Sequence, residues 1–180
     1  MLFAEYVAVG TIFSLGVLLW ATWSKLDLGL RSPVFSEIWP WTALFIVWIT
    51  IETIILWFHP LEADARWIDP LEQLSFVEQV VIIVLLGPLF EELLFRGAMF
   101  SALMRRWGIW PAMIAPSLLW GLLHTQYAFW LVCSIIGSGF ILAMIRWKTD
   151  SLYVPLALHA GYNLYTTWPA PELIAPSAGL

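Results

Sequence analysis

Pro88-Leu-Phe-Glu91-Glu92-Leu-Leu-Phe-Arg96-Gly97 places two carboxylates and a guanidinium inside a long apolar run. An ionisable group at membrane depth is costly and by default marks a functional site. The composition around this run says that it does lie in a membrane. Of 180 residues, 61% are hydrophobic and 12% are charged, and the mean hydropathy is +0.84. A soluble domain averages about 45–50% apolar and about 25% charged. The chain reads as one integral membrane domain over residues 1–180, with its motif-bearing core at about 75–168. The expected surroundings are the lipid bilayer, with no nucleic-acid partner.

A spanning helix needs about 20 apolar residues. Outward from the charged stretch, Ser75–Arg106 fits a span with an extension, and Gly87-Pro88 is expected to kink it or break its ladder just before the glutamates. Upstream, Leu2–Trp23 and Trp41–Phe58 fit spans, separated by a polar loop at Lys25–Pro40. An acidic connector follows at His59–Glu72. Downstream, Ile109–His124, Phe129–Trp147 and Leu152–Trp168 complete six spans, and a Pro-rich tail closes the chain. No cationic stretch precedes the first span, so it reads as retained rather than cleaved. The fold class is an all-α, polytopic transmembrane bundle, because backbone groups in lipid must be satisfied within the protein. Ten of the 13 Trp fall near span ends, where the membrane interface favours them.

Lys25, Arg31, Arg105, Arg106, Arg146 and Lys148 fall on one side of this arrangement and Arg66 alone on the other. The positive-inside rule then places both termini outside the cytoplasm. The single Cys133 excludes an internal disulfide and a cysteine metal cluster, and it reads as a core residue.

Adjacent residues on a helix point about 100° apart, so Glu91 and Glu92 have different tasks. Glu92 and Arg96 are spaced i,i+4 with the acid first, the better order for an ion pair. Glu91 is left facing elsewhere. Two further polar pairs share that spacing: Trp120 with His124, and His159 with Asn163. The indole is expected to pack on the first imidazole, and the second pair shares one helical face. Each alone reads as interhelical hydrogen bonding as readily as chemistry. From the proposed cytoplasmic ends of their helices, Glu91, His124 and Asn163 lie at ~21, ~22 and ~20 Å, with His159 at ~13 Å. Three helices can thus present Glu91, His124 and Asn163 at one level, with His159 a turn away.

A carboxylate, two imidazoles and a carboxamide in one cavity suit hydrolysis. Carboxylate or His can take a proton from water, and His or Asn can donate to an oxyanion. Other hydrolase patterns are missing. The zinc-protease pattern H-E-x-x-H does not occur, nor does G-x-S-x-G, and Gly137-Ser138-Gly139 alone is weak. The aspartates at 27, 64, 69 and 150 fall in loops, against an aspartyl dyad. Glu, His and His are acceptable zinc ligands, and zinc is the lesser alternative to a site without cofactor. A proton-coupled transporter or channel, and a non-catalytic scaffold, are the rival readings. Glu52 lies alone in the second span and reads as a bond to another helix rather than a cavity residue.

Glu91-Glu92-x-x-x-Arg96, Trp120-x-x-x-His124 and His159-x-x-x-Asn163 together resemble the CAAX protease and bacteriocin-processing (CPBP) family of glutamate intramembrane proteases. Trp120 stands where that family's second motif usually begins with Phe. The resemblance implies a CAAX-protease-type helical core and a catalytic set of Glu91, His124, His159 and Asn163. In it, Glu91 with His124 activates water, and His159 with Asn163 forms the oxyanion site. Glu92, Arg96 and Trp120 support them. It further implies metal-independent chemistry, a bacterial inner-membrane location, and a membrane-anchored protein or peptide substrate cut near its C-terminus.

Overall fold

A computed structural model describes residues 2–58 and 73–167. The acidic connector with Arg66 and Trp67, and the C-terminal tail with Trp168, lie outside the described residues. Six helices follow in order: α1 (Leu2–Trp23), α2 (Phe35–Phe58), α3 (76–107), α4 (Ile109–Leu122), α5 (Phe129–Thr149) and α6 (Tyr153–Thr167). No strand occurs among the described residues. Three of the helices, α1, α2 over Ile38–Phe58, and α5, are long and apolar enough to cross a membrane. At 14 and 15 residues, α4 and α6 fall short of the usual spanning length. Large apolar side chains face outward, as lipid contact permits; Trp23 and Phe129 are each 83% exposed.

Several boundaries move from their sequence expectations. α2 starts at Phe35, so Pro40 lies within its opening turns rather than ending a loop. α4 stops at Leu122 and leaves His124 in the turn beyond it. Cys133 is exposed on the outside of the bundle, not in its core.

The larger departure is in α3. It opens on a capping box: the Ser75 hydroxyl accepts from the Glu78 backbone N–H, and the Glu78 carboxylate accepts from the Ser75 backbone N–H. Pro88 does not break the helix. Two wide π-type stretches, Val80–Leu86 and Leu93–Met99, bracket a short α-helical piece at Gly87–Glu92. The Gly87 N–H reaches back five residues to the Ile82 carbonyl. A wider turn accommodates the proline by moving the bond ladder one residue, and such turns are frequent at functional sites. The glutamates therefore sit on the one α-helical piece between two widened ones.

Packing gathers around α3. One buried cluster joins Phe45, Phe95, Trp120, Leu142, Ile145 and Val154, drawing on every helix from α2 to α6. A second joins Val17, Ala21, Leu28, Leu93, Ala98 and Leu152 on the α1 side. α2 is also fixed by polar bonds. Trp48 Nε1 donates to Ser138 Oγ on α5 at 2.9 Å, which gives that serine a packing role. Tyr162 on α6 donates to the buried Glu52 at 2.8 Å, the cross-helix bond expected for that acid.

At one end of the bundle the α1–α2 connector meets the α5–α6 turn. Arg31 bonds Asp27 and, at 2.6 Å, Asp150. Gly29 has φ +69, and the Arg146 guanidinium lies flat against it where a Cβ would stand. Only glycine satisfies both conditions.

Candidate active site

Glu92 is the most enclosed of the site's acids, with no solvent-exposed surface. Its Oε1 accepts from Arg96 Nη1 at 2.9 Å and from His159 Nδ1 at 2.9 Å. The i,i+4 pairing on α3 is thus present and gains a third member from α6. Arg96, equally buried, lies with its guanidinium carbon 4.4 Å from the centre of the Trp120 ring. Its Nη2 reaches the Gly139 carbonyl at 3.3 Å. A Cβ at Gly139 would stand 3.2 Å from that Nη2 and 3.0 Å from the Trp120 ring, so a bare backbone lets α5 close over the guanidinium. Glu92 Oε2 and Arg96 Nε have no partner among the described residues.

Glu91 points the other way, as its 100° offset requires. Its side chain is 25% exposed, against 0% for Glu92, so it is the carboxylate a substrate can reach. Trp120 Nε1 donates to Glu91 Oε2 at 2.5 Å. His159 Nε2 stands 3.8 Å from that same oxygen. Because Glu92 accepts at Nδ1, the hydrogen-bond network assigns the proton there and aims Nε2 at Glu91. His159 therefore lies between two carboxylates from adjacent positions on α3.

Trp120 joins the parts. Its ring meets His159 edge-on at 5.2 Å and His124 edge-on at 5.5 Å, both at 74°. The expected packing of indole on the His124 imidazole is present. His124 itself turns to its own backbone: Nδ1 is 2.7 Å from the Trp120 carbonyl, and its ring stacks on Tyr127. That bond holds its Nδ1 away from Glu91, beside which His159 stands. Asn163 is one turn beyond His159 on α6, and its Nδ2 donates to the Ile83 carbonyl at 2.9 Å.

The structure thus brings Glu91, Glu92, Arg96, Trp120 and His159 into one contiguous cluster. His124 is attached through Trp120, and Asn163 is tied to the preceding turn of α3. Sequence spacing did not reveal the Glu92–His159 or Trp120–Glu91 bonds, because both run between helices. The unusual density of polar groups was the only signal for them. Among the described residues, no group of three His, Cys, Asp or Glu side chains is arranged to hold a metal ion. Glu92 is already committed to two cationic or N–H partners.

Residues 73–165 match the family described as "Type II CAAX prenyl endopeptidase Rce1-like". Among curated proteins, the chain is 30% identical over 103 residues to "UPF0177 protein YxdF" of Lactococcus lactis, covering 57% of this chain and 56% of that one. It is 26% identical over 86 residues to "Putative membrane peptidase YdiL" of Bacillus subtilis, covering 48% and 34%. It is 34% identical over 83 residues to an "Uncharacterized 24.3 kDa protein" of Escherichia coli, covering 44% and 38%. The chain therefore spans between about a third and just over half the length of these relatives. No solved structure matches.

Proposed function

The chain belongs to the Rce1-like family of type II CAAX prenyl endopeptidases, and from that premise we propose that it is an intramembrane endopeptidase of the glutamate type. Glu91 takes a proton from water while the water oxygen attacks the scissile carbonyl carbon. Charge moves onto the carbonyl oxygen. His159, carrying a proton on Nε2 as well as on Nδ1 in this step, and the second amide hydrogen of Asn163 stabilise it there. Glu91 then returns its proton to the leaving amine as the C–N bond breaks, giving a carboxyl end and a new N-terminus. His124, with Nδ1 held by the Trp120 carbonyl, keeps Nε2 for the incoming water. Glu92 and Arg96 hold His159 in register. The reading takes no metal.

The observation that carries this reading is the asymmetry of the two carboxylates about His159. The reachable one, Glu91, is 3.8 Å from Nε2, and the enclosed one, Glu92, is bonded to Nδ1. An acid held by a buried partner is an anchor; an acid open to one side is a base. The proposed substrate is a membrane-anchored or exported protein cut near its C-terminal helix. The location that goes with this proposal is a bacterial inner membrane with both termini outside the cytoplasm, an orientation supported by the distribution of Lys and Arg. A carboxylate–imidazole–carboxylate chain also suits a proton relay. That rival predicts proton-coupled flux in liposomes and no cleavage.

A survey of C-terminal peptides from host membranes, comparing wild type with Glu91→Gln at matched expression, tests the proposal. A few proteins should lose a shortened C-terminus in the variant, with cleavage down by about 10²–10⁴-fold, the usual worth of a general base. Unchanged processing by Glu91→Gln would overturn it.

A further inference from the structure

The Ile83 carbonyl has lost both of its ordinary donors. In an α-turn it would accept from the N–H four residues on, but the Gly87 N–H goes to Ile82. In a widened turn it would accept from residue 88, and Pro88 has no N–H. A backbone carbonyl in a membrane-embedded helix must nevertheless be satisfied, since lipid offers no water to do it. The side chain of Asn163 supplies the bond, with Nδ2 at 2.9 Å.

We propose that Asn163 is a positioning residue: its carboxamide stands in for the N–H that Pro88 lacks and so locks α6 against the segment that carries the glutamates. Two ties then hold the helices, which run in opposite directions here. Asn163 grips Ile83 before the Glu91–Glu92 piece, and His159 grips Glu92 within it. His159 and Asn163 are four residues apart on α6 while Glu92 and Ile83 are nine apart on α3, and the reach of the side chains makes up the difference. One amide hydrogen goes to the carbonyl, and the other remains for the substrate. The inference does not rest on the protease reading, because the bond is structural before it is chemical.

A double-mutant cycle on the full chain tests it, using wild type, Asn163→Ala, Pro88→Ala and the double variant. Alanine at 88 restores the missing N–H and gives Ile83 a backbone donor. Asn163→Ala alone should lower Tm in detergent and slow cleavage through kcat rather than KM. In the Pro88→Ala background the Tm loss should largely disappear, and the slowing should shrink by about threefold or more, the coupling expected of residues in one network. Asn163→Asp, which sets a carboxylate against the carbonyl, should lower Tm more than alanine in the wild-type background and by less once Pro88→Ala has given the carbonyl a backbone donor. Equal Tm losses from Asn163→Ala in the two backgrounds would overturn the proposal. If Asn163→Ala does not fold, the double variant should recover folding, and its failure to do so counts equally against the idea. The Tm cycle gives its answer even if no substrate is ever cut, so it is separable from the protease reading.

Discussion

Two acid–arginine pairs in this protein share a spacing and a sense, acid first and arginine four residues on. Glu92–Arg96 lies in the middle of α3 with both side chains at 0% exposure. Asp27–Arg31 lies in the α1–α2 connector with its side chains 63% and 47% exposed. The exposed pair is elaborated with more charge: Arg31 also bonds Asp150, and Arg146 reaches Asp150 from α5. Water already solvates these groups, so each added bond contributes little. The buried pair has shed its water. It compensates with an imidazole, a carbonyl and a ring face, and still leaves Glu92 Oε2 and Arg96 Nε without partners among the described residues. A buried ion pair is weak evidence for stability, since apolar residues often do as well there. Its value here is placement: it fixes the one nitrogen of His159 that determines where the other points.

Breaking the buried pair should have the largest effect. Arg96→Leu leaves a buried carboxylate uncompensated, at a cost of about 3–5 kcal/mol. Thermal unfolding in detergent should show it as a large loss of Tm, together with loss of cleavage. Adding Glu92→Leu should recover much of the Tm and none of the cleavage, since His159 then has no anchor. Recovery of both would mean that the pair is only packing.

An intermediate effect is expected at Trp120, which links the buried pair to the reachable acid. Trp120→Phe keeps a ring over Arg96 and removes the N–H held by Glu91. A hydrogen bond to a charged group contributes about 1.5–3 kcal/mol. Cleavage should therefore slow by roughly ten- to a hundredfold, with Tm shifting much less than in Arg96→Leu.

The exposed pair should give the smallest change. Hydrogen bonds from Arg31 first, and then from the Gly29 N–H, hold the Asp27 carboxyl below its ordinary value of 3.8. A depressed carboxylate stabilises the fold above its unfolded pKa and loses that contribution as pH falls through the lowered value. Asp27→Asn should change Tm by about a degree or two near neutrality. The difference should fade below about pH 4 and shrink in high salt. A Tm difference that persisted at low pH would assign Asp27 a role other than charge.

The contrast also explains what could be read from the residues alone. The Glu92–Arg96 bond and the packing of Trp120 on His124 were legible, because each lies within one helix at a fixed spacing. The six helices followed from apolar length, but the depth of the polar groups did not: His159, expected a turn away, stands against Glu91 and Glu92, and Asn163, expected level with Glu91, bonds Ile83. The partnership of His159 with Glu92 was not legible, because it joins positions 67 residues apart. Pro88 was legible as an interruption of the bond ladder, but the widened turns were not, because a constant 3.6-residue turn gives no sign of them. The chain instead widened its turns on either side of Glu91 and Glu92. That change also removed the donor that Asn163 replaces, so the residue that the family resemblance makes an oxyanion donor has a carbonyl to serve as well, in the interhelical bonding that its spacing with His159 also allowed. Glu52 was legible as a cross-helix bond, but nothing in its own helix named Tyr162.

A π-type turn holds one residue more than an α-turn, and α3 holds such stretches at Val80–Leu86 and Leu93–Met99. In terms of insertion and deletion, these are the places where the helix can lose a residue and still keep its backbone bonds. A deletion within 80–86 would leave a well-formed helix. Because the wider turn already fits its extra residue into one revolution, the flanks would keep close to their present angular register. The surplus residue is thus absorbed where it stands, whereas the same deletion in an all-α-helical segment would swing one flank by about 100° and carry Glu91 away from Trp120 and His159.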